Sequence, residues 1–243
     1  MIQRAFVYNG DNMVCFCLFS LAPVNAENVE IKSFGHSSFL IKGGGYSVLL
    51  NPFKPVGCAE GLSVPNVKPD VVLASSELPD EGSWNQHGVF FVEPGSYLIG
   101  GLKLEGFTAF HDRDGGRRFG YGTYWQWNQA GLNFVHLAGV AGSLDVKDKL
   151  NLGRPDILFL GVGGGAKVYN SKEAAVVIDQ LNPRIVIPGQ YLSHRIFEPH
   201  QNCDQTGIQP FLDATKHIEH RKVGKKYVLP KILENRTILK LMY

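Results

Sequence analysis

The sequence predicts an α/β fold in which two stacked β-sheets are covered by helices. The 28 glycines among 243 residues favour a loop-rich chain over a helical bundle. The first half contains short apolar stretches separated by turn residues, which is typical of β-hairpins. The second half alternates continuous apolar strands with helical segments, which is typical of sheets packed against helices. A hydrophobic fraction of 44% with 19% charged residues indicates one globular domain with a full core.

Strands dominate the first half. Two short strands flank the turn sequence GHSS, and a glycine turn, GGG, precedes the strand YSVLLNPF. A Lys-Pro-Asp turn leads into the apolar strand VVLA, which is followed by a loop with acidic residues. The predicted strands run from Val29 to Phe34, Ser38 to Ile41, Tyr46 to Phe53, Val71 to Ala74, Val89 to Val92 and Tyr97 to Phe110, the last range as two strands around Gly100 and Gly101.

Helices are predicted in the second half, after a loop from His111 to Gly122 that is dense in charge and glycine. The clearest helix covers residues 171–181, where Ser171 can cap the first turn and apolar residues share one face. A second helical segment, VAGSLDVKDKLNLG, ends at Gly153. Further strands are predicted at Thr123–Trp127, Leu132–Leu137, Asp156–Val162 and Arg184–Pro188.

Residues 1–26 are interpreted as a signal peptide or an N-terminal extension. The run MVCFCLFSLAPV is too short for a transmembrane helix, which needs about 20 residues. It suits the apolar part of a secretory signal, and Val24-Asn25-Ala26 supplies the small residues that a signal peptidase requires. A buried strand or an unstructured extension fits the same run. We expect an exported protein, periplasmic or lumenal, whose domain spans residues 27–243.

The C-terminal segment is basic, with seven Lys or Arg against one Glu between Arg221 and Tyr243. We interpret it as a terminal strand pair with lysines on its solvent face, although a basic tail also suits a peripheral membrane contact. The net charge of the whole chain is only +2, and its aromatic and basic residues do not alternate as in nucleic-acid-binding segments. We therefore expect no nucleic-acid partner. The sequence does not indicate which oligomeric state the protein adopts.

Six segments resemble, in order, parts of one known fold: GHSSFLIKGGGYSVLLNPF, PDVVLASSELPDEG, VEPGSYLIGGLKLEGFTAFHD, LNFVHLAG, RPDILFLGVGGG and LNPRIVIPGQY. Together they cover about residues 29–192 and resemble the metallo-β-lactamase fold, in the branch of metal-dependent hydrolases related to ascorbate-6-phosphate lactonase. The resemblance implies a four-layer αββα sandwich whose site lies where the ends of the two sheets meet. It also implies a substrate among lactones, phosphodiesters and amides.

The resembled family binds one or two metal ions, often zinc, through an HxHxDH loop, a later histidine, an aspartate in a turn and a final histidine. The resemblance gives two matching ligands, Asp80 and His111, and one carboxylate substitute, Glu81. Serine, leucine and glutamine side chains do not replace imidazole on zinc. We therefore expect a degenerate metal site, no intact dinuclear zinc site, and weak or no zinc hydrolase activity. The other ligand positions fall on Ser76, Leu78, Gly139 and Gln190.

Three uses of this altered site are considered. In the first, Asp80, Glu81 and His111 hold one divalent ion, for which an oxygen-rich shell favours magnesium, manganese or calcium. Asp112 then orients the His111 ring. In the second, the pocket is free of metal and binds a small anion. In the third, the site is inactive and the chain is a structural or partner-binding protein.

A metal-free pocket would bind its anion through Arg117, Arg118 and Lys167, because neighbouring guanidinium groups suit bidentate anion recognition. Alternatively, the two arginines pair with Asp112 and Asp114 and only fix their loop. The candidate pocket comprises Ser76, Glu77, Asp80, Glu81, His111, Asp112, Arg117, Arg118, His136, Lys167 and Gln190.

Structural roles are also predicted for two histidines and two cysteines. His36 in GHSS is expected to satisfy a turn rather than to bind a ligand, and His136 can simply hydrogen-bond in the interior. Cys58 and Cys203 lie in loops that the resemblance places on the site face of the fold. In an exported protein we expect these two residues to form a disulfide.

Overall fold

The computed structural model describes residues 28–84, 86–192, 203–231, 233 and 236–243. The interpreted signal segment, residues 1–26, lies outside the described residues, so its cleavage and the export of the protein stay predictions. Within the described part, no helix combines the length and the apolar character that crossing a membrane requires.

In the described ranges, the chain forms fourteen strands and three α-helices. The strands are β1 (Glu30–Gly35), β2 (Ser38–Gly43), β3 (Tyr46–Leu50), β4 (Val71–Leu73), β5 (Val89–Phe91), β6 (Gly95–Ile99), β7 (Leu102–Phe110), β8 (Tyr121–Gln129), β9 (Leu132–Leu137), β10 (Ile157–Gly161), β11 (Ile185–Gly189), β12 (Glu219–Val223), β13 (Lys226–Val228) and β14 (Thr237–Leu241). The helices are α1 (Val146–Leu152), α2 (Ser171–Leu181) and α3 (Gln209–Ala214), and a 3-10 turn covers Gly57–Ala59.

The strands form two mixed sheets that pack face to face. The first sheet has the order β13-β1-β2-β3-β4-β5, and the second has the order β12-β14-β11-β10-β9-β8-β7-β6. In the second sheet β9, β10, β11 and β14 run parallel, so their carboxyl ends lie at one edge. β4 runs parallel to β3 and β5 in the first sheet. The predicted α/β class with two stacked sheets is confirmed.

Apolar side chains fill the space between the sheets because alternate residues of each strand point inward. In β10, Ile157 and Phe159 face the first sheet, while Leu158 and Leu160 face the helices. Phe39 of the first sheet packs on Phe159, with ring centroids 4.9 Å apart. Both faces of β10 are therefore buried, which explains its continuous apolar sequence.

The outer faces of the two sheets are covered differently. Helix α2 packs on the second sheet, and its N-cap is Asn170 rather than the predicted Ser171. The Asn170 side chain accepts the N–H groups of Lys172 and Glu173, and the Glu173 carboxylate accepts the Asn170 N–H, which completes a capping box. Among the described residues, the outer face of the first sheet is covered by the loop 53–67 and its 3-10 turn, so this fourth layer is thin.

Two further predictions concern the segments before Gly153 and near the C-terminus. Of the segment predicted to be helical before Gly153, only α1 is helical, because Asp145 caps its first turn and forms a capping box with Asp148. The predicted terminal strand pair is present, because β12 pairs with β14 in the second sheet, whereas β13 between them joins β1 in the first. Lys222 and Lys226 on these strands are exposed, and a membrane contact through them stays a prediction.

Candidate functional site

The loop after β4 brings two carboxylates to the end of the sandwich. The backbone N–H of Glu81 donates to the carbonyl of Leu78 at 2.9 Å, which closes a tight turn. This turn leaves Asp80 partly exposed and buries Glu81 completely. A glycine is required at Gly82, because a Cβ atom there would overlap the backbone of Ser76.

The Lys167 ammonium group lies between these carboxylates. Lys167 follows the glycine turn Gly163–Gly165, which continues from the end of β10. Its Nζ atom is 2.8 Å from Asp80 Oδ2 and 3.0 Å from Glu81 Oε1. Only 16% of the Lys167 side chain is exposed, and the Glu81 side chain is not exposed at all. One ammonium therefore contacts two carboxylates and compensates one of their two negative charges.

The pKa shifts of this group keep its members charged. Burial alone would raise the pKa of Glu81, but its charged surroundings, above all the Lys167 ammonium, lower it to about 2. Burial opposes the charge of Lys167, yet Glu81 and Asp80 hold the pKa of Lys167 above its ordinary value. The ammonium and the Glu81 carboxylate are thus both ionised at neutral pH.

The remaining hydrogen-bonding capacity of Glu81 is used by the residues around it. The Gln190 amide donates to Oε1 at 2.7 Å, and the hydroxyl groups of Ser75 and Ser76 each donate to Oε2 at 3.2 Å. The Gln190 carbonyl oxygen accepts the N–H of Gly139 at 2.8 Å, which fixes the orientation of the amide. Gly139 has a φ of 65°, and a Cβ atom there would collide with Glu81 Oε2. Only glycine, which lacks a Cβ atom and adopts a left-handed backbone conformation without strain, therefore fits beside the Glu81 carboxylate.

Three buried imidazoles surround the ion pair. The nearest are His111, whose Nε2 is 3.2 Å from Glu81 Oε2, and His36, whose Nε2 is 3.9 Å from Asp80 Oδ2. Within the described part of the chain, the ring nitrogens of His36 have no hydrogen-bond partner. Burial lowers the pKa of His36, and it lowers the pKa of His136 to about 3, so both rings are neutral at physiological pH.

Comparison with known proteins is consistent with this architecture. The family model of the β-lactamase superfamily domain matches residues 30–190, which is more than half of the chain. The chain belongs to the metallo-β-lactamase superfamily. No curated protein matches it.

Solved structures of the superfamily share the fold at low sequence identity. A Thermotoga maritima protein, provisionally named a Zn-dependent hydrolase of this superfamily, has a TM-score of 0.70 and 24% identity, over 88% of this chain and 98% of its own. A Veillonella parvula protein, provisionally named a metal-dependent hydrolase, has a TM-score of 0.58 and 11% identity, over 84% of this chain and 100% of its own. A Parabacteroides distasonis protein, provisionally named likewise, has a TM-score of 0.52 and 18% identity, over 77% of this chain and 88% of its own. These similarities show the fold, and the lactonase branch stays a prediction.

The residues of the site do not fit a bound metal ion while Lys167 occupies its position. One ligand atom each from His36, Asp80 and Glu81 lies within 4.8 Å of the other two, which is close enough for a shared ion. However, the ammonium already contacts both carboxylates, and a divalent cation at the same oxygens would be repelled by it. His36, Asp80 and Glu81 are residue types that suit a metal ion, and the Lys167 ammonium contacts the two carboxylates of this set.

The loop between β7 and β8 is organised differently from the prediction. The Asp112 carboxylate accepts four backbone N–H groups of its own loop, among them those of Arg118 and Phe119, so it fixes this loop rather than the His111 ring. Arg117 is exposed and donates to the backbone carbonyl of Asp114 at 2.9 Å. The Arg118 guanidinium is exposed and lies 4.9 Å from the centroid of the Phe119 ring. Neither arginine side chain pairs with the Asp112 carboxylate as predicted.

The three cationic groups of the predicted anion pocket therefore do not form one cluster of free charges. Lys167 is neutralised by carboxylates, and the two arginines are exposed on the loop. The half-buried Phe119 ring lies between the loop and the site, with its centroid 5.6 Å from the Lys167 ammonium and 6.2 Å from the centre of the His111 ring. Of the other predicted residues, Glu77 is exposed and His136 is buried against Phe159. The structure brings together Ser76, Asp80, Glu81, His111, Lys167 and Gln190.

Sequence reasoning missed three residues of the site. His36 was expected to serve only the turn between β1 and β2, and it does have a φ of 50°, but its ring lies beside Asp80. Asn51 follows β3, and its amide donates to Ser75 Oγ at 2.8 Å and accepts the Ser75 N–H at 2.8 Å. The three residues are His36, Asn51 and Ser75. Each follows a strand of the first sheet, and these strands end at one edge, which is the signal that could have indicated them.

Proposed function

We propose that this chain is a divergent member of the metal-dependent hydrolase group in which the Lys167 ammonium takes the place of the metal ion. The proposed consequence is weak or no zinc hydrolase activity. The observation that carries the proposal is the contact of one ammonium with both Asp80 and Glu81, at 2.8 and 3.0 Å.

An ammonium group cannot supply the chemistry of the ion that it replaces. A hydrolytic metal binds a water molecule, lowers its pKa to about 7 and presents hydroxide to the substrate. An ammonium offsets part of the negative charge of the carboxylates but has no coordination position for water. It also has no vacant orbital with which to polarise a carbonyl or phosphoryl group.

The substituted ligand positions support the same proposal. Ser76 and Gln190, which stand where the resembled family has histidines, both donate hydrogen bonds to Glu81. Their polar atoms are therefore committed to the carboxylate and do not form a vacant coordination shell. The altered residues satisfy one another, so the site is stable without a metal ion.

A non-catalytic binding protein is the second candidate, and the exposure of the ion pair favours it. The side chains of Asp80 and Lys167 are 14% and 16% exposed, so a polar small molecule has access to both from solution. Such a ligand would compete for the bond between Asp80 and Lys167. It would leave the fully buried Glu81 in place.

Metal analysis of matched variants tests the proposal. The protein is incubated with zinc, passed through a desalting column and analysed by plasma emission for the wild type, Lys167→Met and Lys172→Met, the last being an exposed lysine on α2. We expect wild type and Lys172→Met to carry almost no zinc. Lys167→Met should bind about one equivalent, because removing the ammonium frees both carboxylates beside two imidazoles.

Hydrolase assays on lactone, phosphodiester and amide substrates accompany the metal analysis. The proposal expects no zinc-dependent turnover by the wild type with any of these substrates. A wild type that retains zinc through desalting, and that loses both zinc and turnover on Asp80→Ala, would contradict the proposal and restore a metal-dependent enzyme.

A further inference from the structure

The loop that carries Lys167 is held from one side by Arg113. The Arg113 guanidinium donates to the carbonyls of Gly165 at 2.8 Å and Val168 at 2.6 Å, and it pairs with Glu173 at the start of α2. These bonds fix the backbone on both sides of Lys167. Arg113 lies in the loop that follows β7, and β7 belongs to the same sheet as β10.

The same loop is held from the other side by residues 203–206. The Asp204 carboxylate accepts the N–H of Ala166 at 2.8 Å, and the N–H of Thr206 donates to the carbonyl of Gly163 at 2.7 Å. A Cβ atom at Gly165 would overlap the Asp204 carboxylate, so the glycine allows this close approach. Asp204 therefore contacts the backbone directly before the lysine.

A disulfide anchors this second support to the opposite sheet. Cys203, adjacent to Asp204, is bonded to Cys58, and the two cysteines are separated by 145 positions in the sequence. Cys58 lies in the 3-10 turn that covers the outer face of the first sheet. The predicted disulfide is thus confirmed, and it joins the first sheet to the segment that supports the lysine loop of the second.

We propose that the disulfide between Cys58 and Cys203 is a redox latch that holds the Lys167 ammonium on the two carboxylates. This inference rests on the proposed function, in which Lys167 is the internal cation of the site. A thiol reductant opens the latch: its two thiols lose two electrons and two protons to form a disulfide, while Cys58 and Cys203 each become a thiol.

Opening the latch removes the covalent anchor of residues 203–206 and leaves their hydrogen bonds to the glycine turn and the bond from the Leu192 N–H to the Thr206 carbonyl. The lysine loop then opens more often, because a local opening no longer has to displace a tethered segment. Each opening takes the ammonium away from Asp80 and Glu81. In that state Asp80, which is already partly exposed, loses its bond to the ammonium, and Glu81 loses its cation.

Amine labelling of folded protein measures the position of Lys167. Oxidised and reduced wild type receive a short pulse of acetylating reagent, and the labelling rate of each lysine is read by peptide mass spectrometry. Lys103, whose side chain is 71% exposed, is the internal reference. We expect reduction to raise the labelling rate of Lys167 by at least about tenfold relative to Lys103. The double variant Cys58→Ser/Cys203→Ser should label like the reduced wild type.

Hydrogen exchange in β10 separates a latch from general unfolding. The proposal expects β10 to stay protected under conditions in which Lys167 becomes reactive. Unchanged Lys167 labelling after reduction would overturn the latch. A gain in labelling matched by an equal loss of protection in β10 would overturn it as well, because the disulfide would then stabilise the whole domain rather than the loop.

A variant that keeps the disulfide provides a second test. Asp204→Ala removes the carboxylate that binds the Ala166 N–H, and Asp213→Ala, an exposed position on α3, is its matched control. We expect faster Lys167 labelling in the first variant only; equal labelling in both contradicts the role of residues 203–206. If only the latch proposal is wrong, Lys167→Met still binds the expected zinc. If the proposed function is wrong, the oxidised wild type itself binds zinc.

Discussion

The protein contains two lysine–glutamate pairs with similar geometry in very different surroundings. At the end of the sandwich, Lys167 Nζ lies 3.0 Å from Glu81 Oε1, and the two side chains are 16% and 0% exposed. On β7, Lys103 Nζ lies 2.7 Å from Glu105 Oε1, with side chains 71% and 26% exposed. The exposed pair is the shorter of the two, yet water competes for both of its partners.

This comparison shows that solvent access, rather than distance, determines how much an ion pair contributes to stability. An exposed pair contributes about 0–1 kcal/mol to stability, because water solvates each charge almost as well as the partner does. Removal of one partner from a buried pair costs about 3–5 kcal/mol, because an uncompensated charge is left in the interior. The site of this protein therefore depends on Lys167 in a way that the surface does not depend on Lys103.

The largest expected effect is that of Lys167→Met on stability at neutral pH. The substitution leaves Glu81 buried without its cation, so we expect the free energy of unfolding to fall by about 3–5 kcal/mol. Urea denaturation followed by fluorescence measures this loss. A loss below about 1 kcal/mol would mean that Lys167 behaves like a surface lysine, and the comparison would fail.

The second effect is a pH dependence of that loss. The folded state lowers the pKa of Glu81 from 4.5 to about 2, so the stability from this carboxylate is complete above 4.5 and disappears as the pH falls toward 2. The difference in unfolding free energy between wild type and Lys167→Met should therefore shrink as the pH falls toward 2, because protonation of Glu81 removes the charge that Lys167 compensates. Denaturation midpoints at a series of acidic pH values test this. A difference that is constant with pH would assign the loss to packing instead of charge.

The third effect concerns the amide that completes the site. Gln190→Ala removes the donor to Glu81 and the acceptor of the Gly139 N–H, so we expect a loss of about 1–3 kcal/mol. Gln190→Glu is the informative companion, because it keeps the shape but places a second carboxylate beside Glu81. We expect the second variant to be the less stable one at neutral pH and to recover at acidic pH, and the opposite order would argue against an ionised Glu81.

The smallest effect is that of Lys103→Met, the same substitution at the exposed pair. We expect a change of at most about 1 kcal/mol in the free energy of unfolding, and a change that is reduced further by salt. Thermal denaturation at low and high salt measures it. A loss as large as that of Lys167→Met would remove the distinction between the two regions.

The fold could be predicted because its signals are local. Alternation in the strands, the glycine turns and the one-sided helix at residues 171–181 each follow from neighbouring residues. The errors arose where distant parts of the chain decide the structure. Nothing local indicates that β13 leaves the pair of β12 and β14 for the other sheet, or that, among the described residues, the loop 53–67 covers the first sheet.

Some residues of the candidate site could be predicted, but their arrangement could not. The resemblance indicated Asp80, Glu81, His111 and Gln190, because their order along the chain follows the strand ends. It could not indicate where the Lys167 side chain points. That orientation depends on the glycine turn before the lysine, which is fixed by hydrogen bonds from Arg113 and Asp204, residues distant in the sequence. For this reason the lysine was expected to bind an external anion, whereas it binds the protein's own carboxylates.

The central claim is that an internal ammonium occupies the cation position of this superfamily member. Crystals of the oxidised protein grown with excess zinc, with anomalous diffraction recorded on both sides of the zinc absorption edge, test it most directly. The account predicts no anomalous peak between Asp80 and Glu81, with density for Lys167 reaching both carboxylates. A strong zinc peak at that position, with the lysine turned away, would contradict it.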